Sequence, residues 1–100
     1  MRIIKRSTLV DFWRRHPLSE QDLRTWCSIA KASSWSSPQH VKNMFPKASI
    51  ISDERVVFNI CGGNYRLIVA IKYSAGIVFI KFIGTHSEYD RVDAKTVARY

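Results

Sequence analysis

Only two cysteines, four glycines and three prolines occur in this chain. Cys27 and Cys61 lie far apart and outside any metal-ligand spacing, so no zinc site is expected from them. They read as free thiols, Cys27 in a core and Cys61 beside a turn. No repeat or low-complexity tract appears. No apolar run approaches the ~20 residues that a membrane helix needs. Met1-Arg2-Ile3-Ile4-Lys5-Arg6 starts basic but has no h-region and no small-residue cleavage site, so no signal peptide and a cytoplasmic location are expected. Acidic residues are scarce as well. Eight Asp and Glu face sixteen Lys and Arg, which leaves a net charge of +8.

That charge attracts polyanions: RNA, DNA, an anionic membrane or an acidic protein partner. A nucleic-acid or ribosome-related role is the favoured expectation. The apolar share of 46% suits a chain that builds its own core, and 24% charged residues argues against disorder. At 100 residues, one domain spanning 1–100 is expected.

The first half has helical periodicity. Ile3-Ile4 is a candidate short strand. Ser7-Thr8, with Asp11 following, offers an N-cap for a helix whose face is Leu9, Val10 and Trp13, and Pro17 ends it. Ser19 restarts a helix with Glu20 and Asp22 in its first turn. Leu23, Trp26, Cys27 and Ala30 then recur at i, i+3, i+4 and i+7. Ser37-Pro38 reads as an N-cap with proline at the first position of a third helix, whose inner face is Val41, Met44 and Phe45. Trp13, Trp26 and Trp35 accompany apolar faces and read as core. His16 and His40 stand beside prolines and read as structural.

The second half turns to β periodicity. Val56–Ile60, Tyr65–Tyr73 and Ile77–Thr85 are β-branched and aromatic runs, separated by Gly62-Gly63-Asn64 and by Ser74-Ala75-Gly76. Val92–Tyr100 reads as a final helical turn or a tail. Helices followed by an antiparallel meander make an α+β domain, with the N-terminal helices on one face of the sheet. If Ala75-Gly76 close a tight hairpin, Tyr73 faces Val78, Ile71 faces Ile80, Val69 faces Phe82 and Leu67 faces Gly84. That set is apolar and belongs to the core. The opposite face then holds Arg66, Lys72 and Lys81 with exposed Ile68, Phe79 and Ile83, a surface that fits a phosphodiester backbone.

Several stretches carry a family likeness: Phe12-Trp13-Arg14-Arg15-His16-Pro17, Val56-Val57-Phe58-Asn59-Ile60, Tyr65-Arg66-Leu67, the strand from Ile77 to Gly84-Thr85-His86, and Glu88-Tyr89-Asp90. Trp35, Pro38, Val41-Lys42 and Asp53 also fit. On these residues the chain resembles the HigB-type toxins of type II toxin–antitoxin systems, a branch of the RelE superfamily with a RelE-like microbial RNase fold. The likeness implies a ribosome-associated endoribonuclease that cuts mRNA and arrests translation and growth. It also implies a cognate helix-turn-helix (HigA-type) antitoxin as partner. Where that pattern often has lysines around the glycine turn, this chain has Cys61 and Asn64, which lowers the phosphate affinity expected of the loop.

Scattered acids and the lack of a His/Cys cluster point to cleavage without metal or other cofactor, through a 2′,3′-cyclic phosphate. That chemistry needs a base, an acid and charge stabilisation of the phosphate. His86 is the candidate acid or base, because histidine titrates near neutrality. Arg66 is the candidate phosphate clamp, Lys81 its support from the next strand, and Tyr89 a base-stacking or proton-transfer group, or else a core aromatic. Glu88 and Asp90 are candidates to orient His86 or its loop. Lys72, Arg55 and Arg91 are candidate RNA-backbone contacts. A non-catalytic nucleic-acid- or protein-binding module stands as the alternative. A DNA-binding regulator is disfavoured for want of a helix-turn-helix pattern.

Overall fold

The computed structural model describes residues 1–100. In chain order the elements are β1 (Arg2–Ile4), α1 (Arg6–Arg15), a 3₁₀ turn (Pro17–Ser19), α2 (Glu20–Ala32), α3 (Pro38–Met44), β2 (Ser49–Ile50) and β3 (Arg55–Ile60). A turn at Cys61–Gly63 follows, then β4 (Tyr65–Lys72), a turn at Tyr73–Ala75, β5 (Ile77–Thr85) and α4 (His86–Tyr89). The strands form one five-stranded sheet in the order β1-β5-β4-β3-β2. Only the β1–β5 pair is parallel. The fold is α+β, as the switch of period indicates. No helix is long and apolar enough to cross a membrane.

The helices bury the faces their periodicity marks. Leu23, Trp26, Cys27 and Ala30 of α2 are buried, as are Val41 of α3 and Trp35 ahead of it. In α1 the buried residues are Leu9, Phe12 and Trp13, while Val10 is half-buried. They pack on Val56, Phe58, Ile60, Leu67, Val69, Ile71, Val78, Ile80 and Ile83 of the sheet. Met44, expected inward, is exposed, but its sulfur accepts the Trp35 indole N–H at 3.1 Å.

The caps differ from expectation at two helices. α1 starts at Arg6 with Lys5 as N-cap and no side-chain cap, so Ser7 and Thr8 lie inside the helix. Ser19 precedes α2 but donates its hydroxyl to the His16 carbonyl at 2.7 Å, which satisfies an otherwise buried polar group. Ser37 does cap α3, accepting the His40 N–H at 3.2 Å.

The β4–β5 register is not the one a two-residue turn dictates. A 3₁₀ turn at Tyr73–Ala75, closed by Gly76 at φ 68°, pairs Lys72 with Ile77, Ile71 with Val78 and Val69 with Ile80. A bulge next to Ile68 and Val69 then pairs Ile68 with Phe82, Leu67 with Ile83 and Arg66 with Gly84. The offset near the turn is two residues, so Leu67, Val69 and Ile71 still face the helices. Past the bulge the offset is one, so Phe82 and Ile83 exchange the faces expected for them.

The second face is also not open. Val57, Ile68 and Phe82 form a buried cluster there, covered by Ile51, Tyr89, Val92, Ala94 and Val97. The segment after α4 is therefore a tail laid across the sheet. Arg55 Nη1 donates to the carbonyls of Ala94 at 3.3 Å and Val97 at 2.6 Å. The Arg99 N–H donates to the Lys81 carbonyl at 3.0 Å. Ile68 is wholly buried rather than exposed, Ile83 belongs to the helix-side core, and Phe79 is half-buried. Three apolar residues on a bare sheet face would cost several kcal/mol, at roughly 1.5–3 kcal/mol each, which is why the chain folds back over them.

Candidate functional site

The end of β5 carries a one-turn helix with a strong local reason to form. Thr85 Oγ1 accepts the Glu88 N–H at 3.2 Å, and Glu88 Oε1 accepts the Thr85 N–H at 2.9 Å. This is a reciprocal capping box, and the Thr85-His86-Ser87-Glu88 spacing encodes it. The bond from the Thr85 backbone holds the Glu88 carboxyl below the usual carboxylate range. Gly84 makes the fold-back possible. A Cβ there would meet Phe82 Cζ at 2.6 Å and Glu88 Oε1 at 3.1 Å.

The turn gathers the residues that precede and follow it. His86 Nδ1 lies 3.1 Å from Asp90 Oδ2, one helical turn on. Both side chains are more than half exposed, so this pair orients an imidazole rather than stabilising the fold. The His86 N–H donates to the Asn64 carbonyl at 3.0 Å, tying α4 to the glycine turn. Arg66 Nε donates to the Gly63 carbonyl at 3.3 Å, and its guanidinium carbon lies 5.2 Å from the centre of the Tyr89 ring. Tyr89 is half-buried, with the Val57–Ile68–Phe82 cluster beneath it. It is thus both the core aromatic and the ring presented to Arg66.

The glycine turn is rigid for its own reasons. Cys61, Gly62 and Gly63 have φ of 53°, 64° and 98°, the left-handed region that glycine adopts most readily. Asp22 Oδ2 accepts the Cys61 N–H at 2.8 Å, and the Cys61 thiol donates to the Leu18 carbonyl at 3.1 Å. Burial and the adjacent Asp22 carboxylate push the Cys61 thiol up, and burial does the same for Cys27. Neither is a thiolate nucleophile at neutral pH.

The other expected site residues are dispersed. Lys81 sits at the bulge with its ammonium 5.5 Å from the Phe79 ring centre, and the β5 residue opposite Arg66 is Gly84. Arg55 is spent on the tail carbonyls. Lys72 is exposed at the far end of β4, and Arg91 is exposed just beyond α4. His16 stacks on Phe12 with centroids 4.3 Å apart, and His40 Nδ1 accepts the Ser36 N–H at 3.3 Å, so both have structural contacts. No three His, Cys, Asp or Glu side chains gather as a metal site. Sequence reasoning missed Asn59, an exposed amide directly opposite Arg66 on β3. Its signal was a polar residue breaking an apolar strand.

The family model of HigB_toxin, described as the RelE-like toxic component of a toxin-antitoxin system, matches residues 19–92. The chain belongs to the HigB toxin family. It is similar to mRNA interferase HigB of Escherichia coli O6:H1 (strain CFT073), with 26% identity over 94 residues, 92% of this chain and 91% of that one. It is also similar to mRNA interferase toxin HigB of Escherichia coli K12, with 24% identity over 92 residues, 90% and 88% of the two chains. The HigB_toxin match takes in Arg66, the capping box, His86, Tyr89 and Asp90, and stops at Val92, ahead of most of the tail.

Proposed function

We propose that this HigB-family toxin is a metal-independent endoribonuclease of the cytoplasm that cuts mRNA on the ribosome and is held in check by a helix-turn-helix, HigA-type antitoxin. The observation that carries the reading is the juxtaposition built by one turn of helix: His86 with Asp90, beside Arg66 over Tyr89. The names of its relatives, mRNA interferases, supply the reaction class.

The chemistry is internal transesterification. The ribose 2′-oxygen forms a bond to phosphorus, the bond from phosphorus to the 5′-oxygen breaks, and a 2′,3′-cyclic phosphate results. A base takes the 2′-OH proton and an acid delivers one to the leaving 5′-oxygen. His86 serves one of these roles, with Asp90 fixing the ring so that Nε2 faces the substrate. Arg66, which keeps its charge, stabilises the crowded phosphate. Tyr89 orients the guanidinium from below and is the group next in line for proton transfer. Lys72 and Arg91 contact the RNA backbone, and Lys81 contributes to the same basic field from a greater distance.

His86→Gln tests this reading. Glutamine keeps a hydrogen bond but cannot exchange a proton near neutral pH. Single-turnover cleavage on a programmed ribosome should fall roughly 100-fold or more, with ribosome association unchanged. Arg66→Ala should cost ~100- to 1,000-fold in rate. Cleavage by His86→Gln at the wild-type rate would remove His86 from the mechanism.

A further inference from the structure

The outer side of the helix layer carries cations that the proposed chemistry does not use. Arg24, Cys27, Ser28 and Lys31 stand at i, i+3, i+4 and i+7 of α2, which sets them in one stripe along the helix. Arg6, at the start of α1, comes up against this stripe. The two helices enclose a cleft of about 480 Å³ lined by Arg6, Arg24, Cys27, Ser28 and Lys31. Cys27 is buried at its floor, and the other four are exposed.

Both guanidiniums are held in place. The Arg6 guanidinium carbon lies 5.3 Å from the centre of the Trp13 ring, and that of Arg24 lies 4.7 Å from it. Trp13 is itself buried, so its ring mounts the two arginines and gives no platform on which a base could stack. Arg24 Nε donates to Glu20 Oε2 at 2.7 Å, which leaves its terminal N–H groups for a partner. The ion pairs of the molecule are this one and His86–Asp90, so Arg6 and Lys31 have no carboxylate of their own. Arginines already fixed in position lose little side-chain freedom when an anion arrives.

The spacing selects the kind of anion. Seven residues at 1.5 Å each place Arg24 and Lys31 ~10.5 Å apart along the α2 axis. Glutamates at i and i+7 of a helix laid along the groove repeat at the same interval, and one at i+4 turns toward Arg6 on the other wall. Ser28, small and midway between the two α2 cations, lets such a helix come close. A nucleic-acid backbone carries its charge without a break and would meet the Glu20 carboxylate too.

We propose that the α1–α2 groove is a docking site for an acidic amphipathic helix of the antitoxin, an inference that rests on the toxin–antitoxin part of the reading above and not on its chemistry. The sheet lies between this groove and the Arg66–Tyr89 pair, so antitoxin binding and RNA cleavage are separable by mutation.

The test uses two alanine-rich peptides of about 18 residues, long enough to be helical, and of identical composition. One carries its glutamates at i, i+4 and i+7, and the other spreads them around the helix. Each is titrated into the isotopically labelled full chain, with affinity and amide shifts recorded. The ordered peptide should bind roughly 10-fold more tightly and shift the amides around Arg24, Ser28 and Lys31. Arg6→Glu combined with Lys31→Glu should abolish that preference. Lys31→Gln, the milder change, should lower it about 3-fold and reduce its salt dependence. Cleavage of mRNA on programmed ribosomes should stay at the wild-type rate and KM in both variants. Equal binding of the two peptides, or shifts centred elsewhere, would overturn the docking site and leave the ribonuclease reading intact. A raised KM for ribosomal cleavage in the charge-reversed protein would make the groove an RNA contact and overturn the proposal as well. A wild-type protein that cuts no RNA would remove the ribonuclease reading while the peptide result stands.

Discussion

The two faces of the sheet are built by different means. One is covered by three amphipathic helices and joins them in a continuous core of 19 buried residues. The other has three fully buried residues, Val57, Ile68 and Phe82, under a tail without regular structure. The helix side is held by apolar area, which needs no particular partner geometry. The tail side combines a much smaller apolar cluster with a few directional bonds, chiefly those from Arg55 to two backbone carbonyls. The candidate site lies on the thin side, where Arg66, Asn59 and Tyr89 remain reachable because no helix lies over them. The larger core and the candidate site thus lie on opposite faces.

The sharpest break of this contrast is on the helix side. Trp26→Ala removes a ring that packs on Phe58 at 5.4 Å. Denaturant unfolding should show a loss of about 3–5 kcal/mol. On the tail side, Arg55→Ala should cost less, about 1–3 kcal/mol for the hydrogen bonds it removes. Its signature is local: amide hydrogen exchange should accelerate across Val92–Arg99 while α2 stays protected. Equal acceleration in both regions would mean the tail is part of the main cooperative unit. Smaller again is Thr85→Ala, expected to cost ~1 kcal/mol as a lost N-cap. Because α4 carries His86, its cleavage rate should fall too, and Thr85→Ser should restore it.

The smallest effect is one of pH. Glu88 titrates lower in the folded protein than in the unfolded chain, so its cap contributes fully above the unfolded carboxylate pKa. That contribution is lost as pH falls through the lowered folded value. Carboxyl chemical shifts should place Glu88 below free glutamate, and the Thr85 N–H, which donates to that carboxylate, should lose protection only at acid pH. A Glu88 that titrates with the exposed carboxylates would show that the box does not hold in solution.

Much of this was legible in the chain. Leu23, Trp26, Cys27 and Ala30 announce a helix face, and Leu67, Val69 and Ile71 announce a strand face, because periodicity is a local property. The run from Gly84 to Asp90 is equally local. Its capping box and the one-turn spacing of His86 and Asp90 are short-range features too, although the sequence reading puts the last helical turn at Val92–Tyr100 instead.

What tertiary structure decided concerns partners distant in sequence. The bulge beside Ile68 and Val69 moves Phe82 to the second face, and an alternation rule has no means to foresee an unpaired residue. The fate of Ile68 depends on Val92, Ala94 and Val97, whose pattern is too irregular to mark them as a cover. Arg55 looks like any basic surface residue until its two carbonyl acceptors arrive from 39 and 42 positions away. Sequence alone determined the first three helices, the three long strands and which cationic and titratable side chains are on hand, since propensity, periodicity and residue type act within a few residues; β2 and α4 were not among its elements. Which cations stay free to meet a substrate was decided only when the tail closed over the sheet, because a charge is available or spent according to what the fold brings within hydrogen-bonding distance.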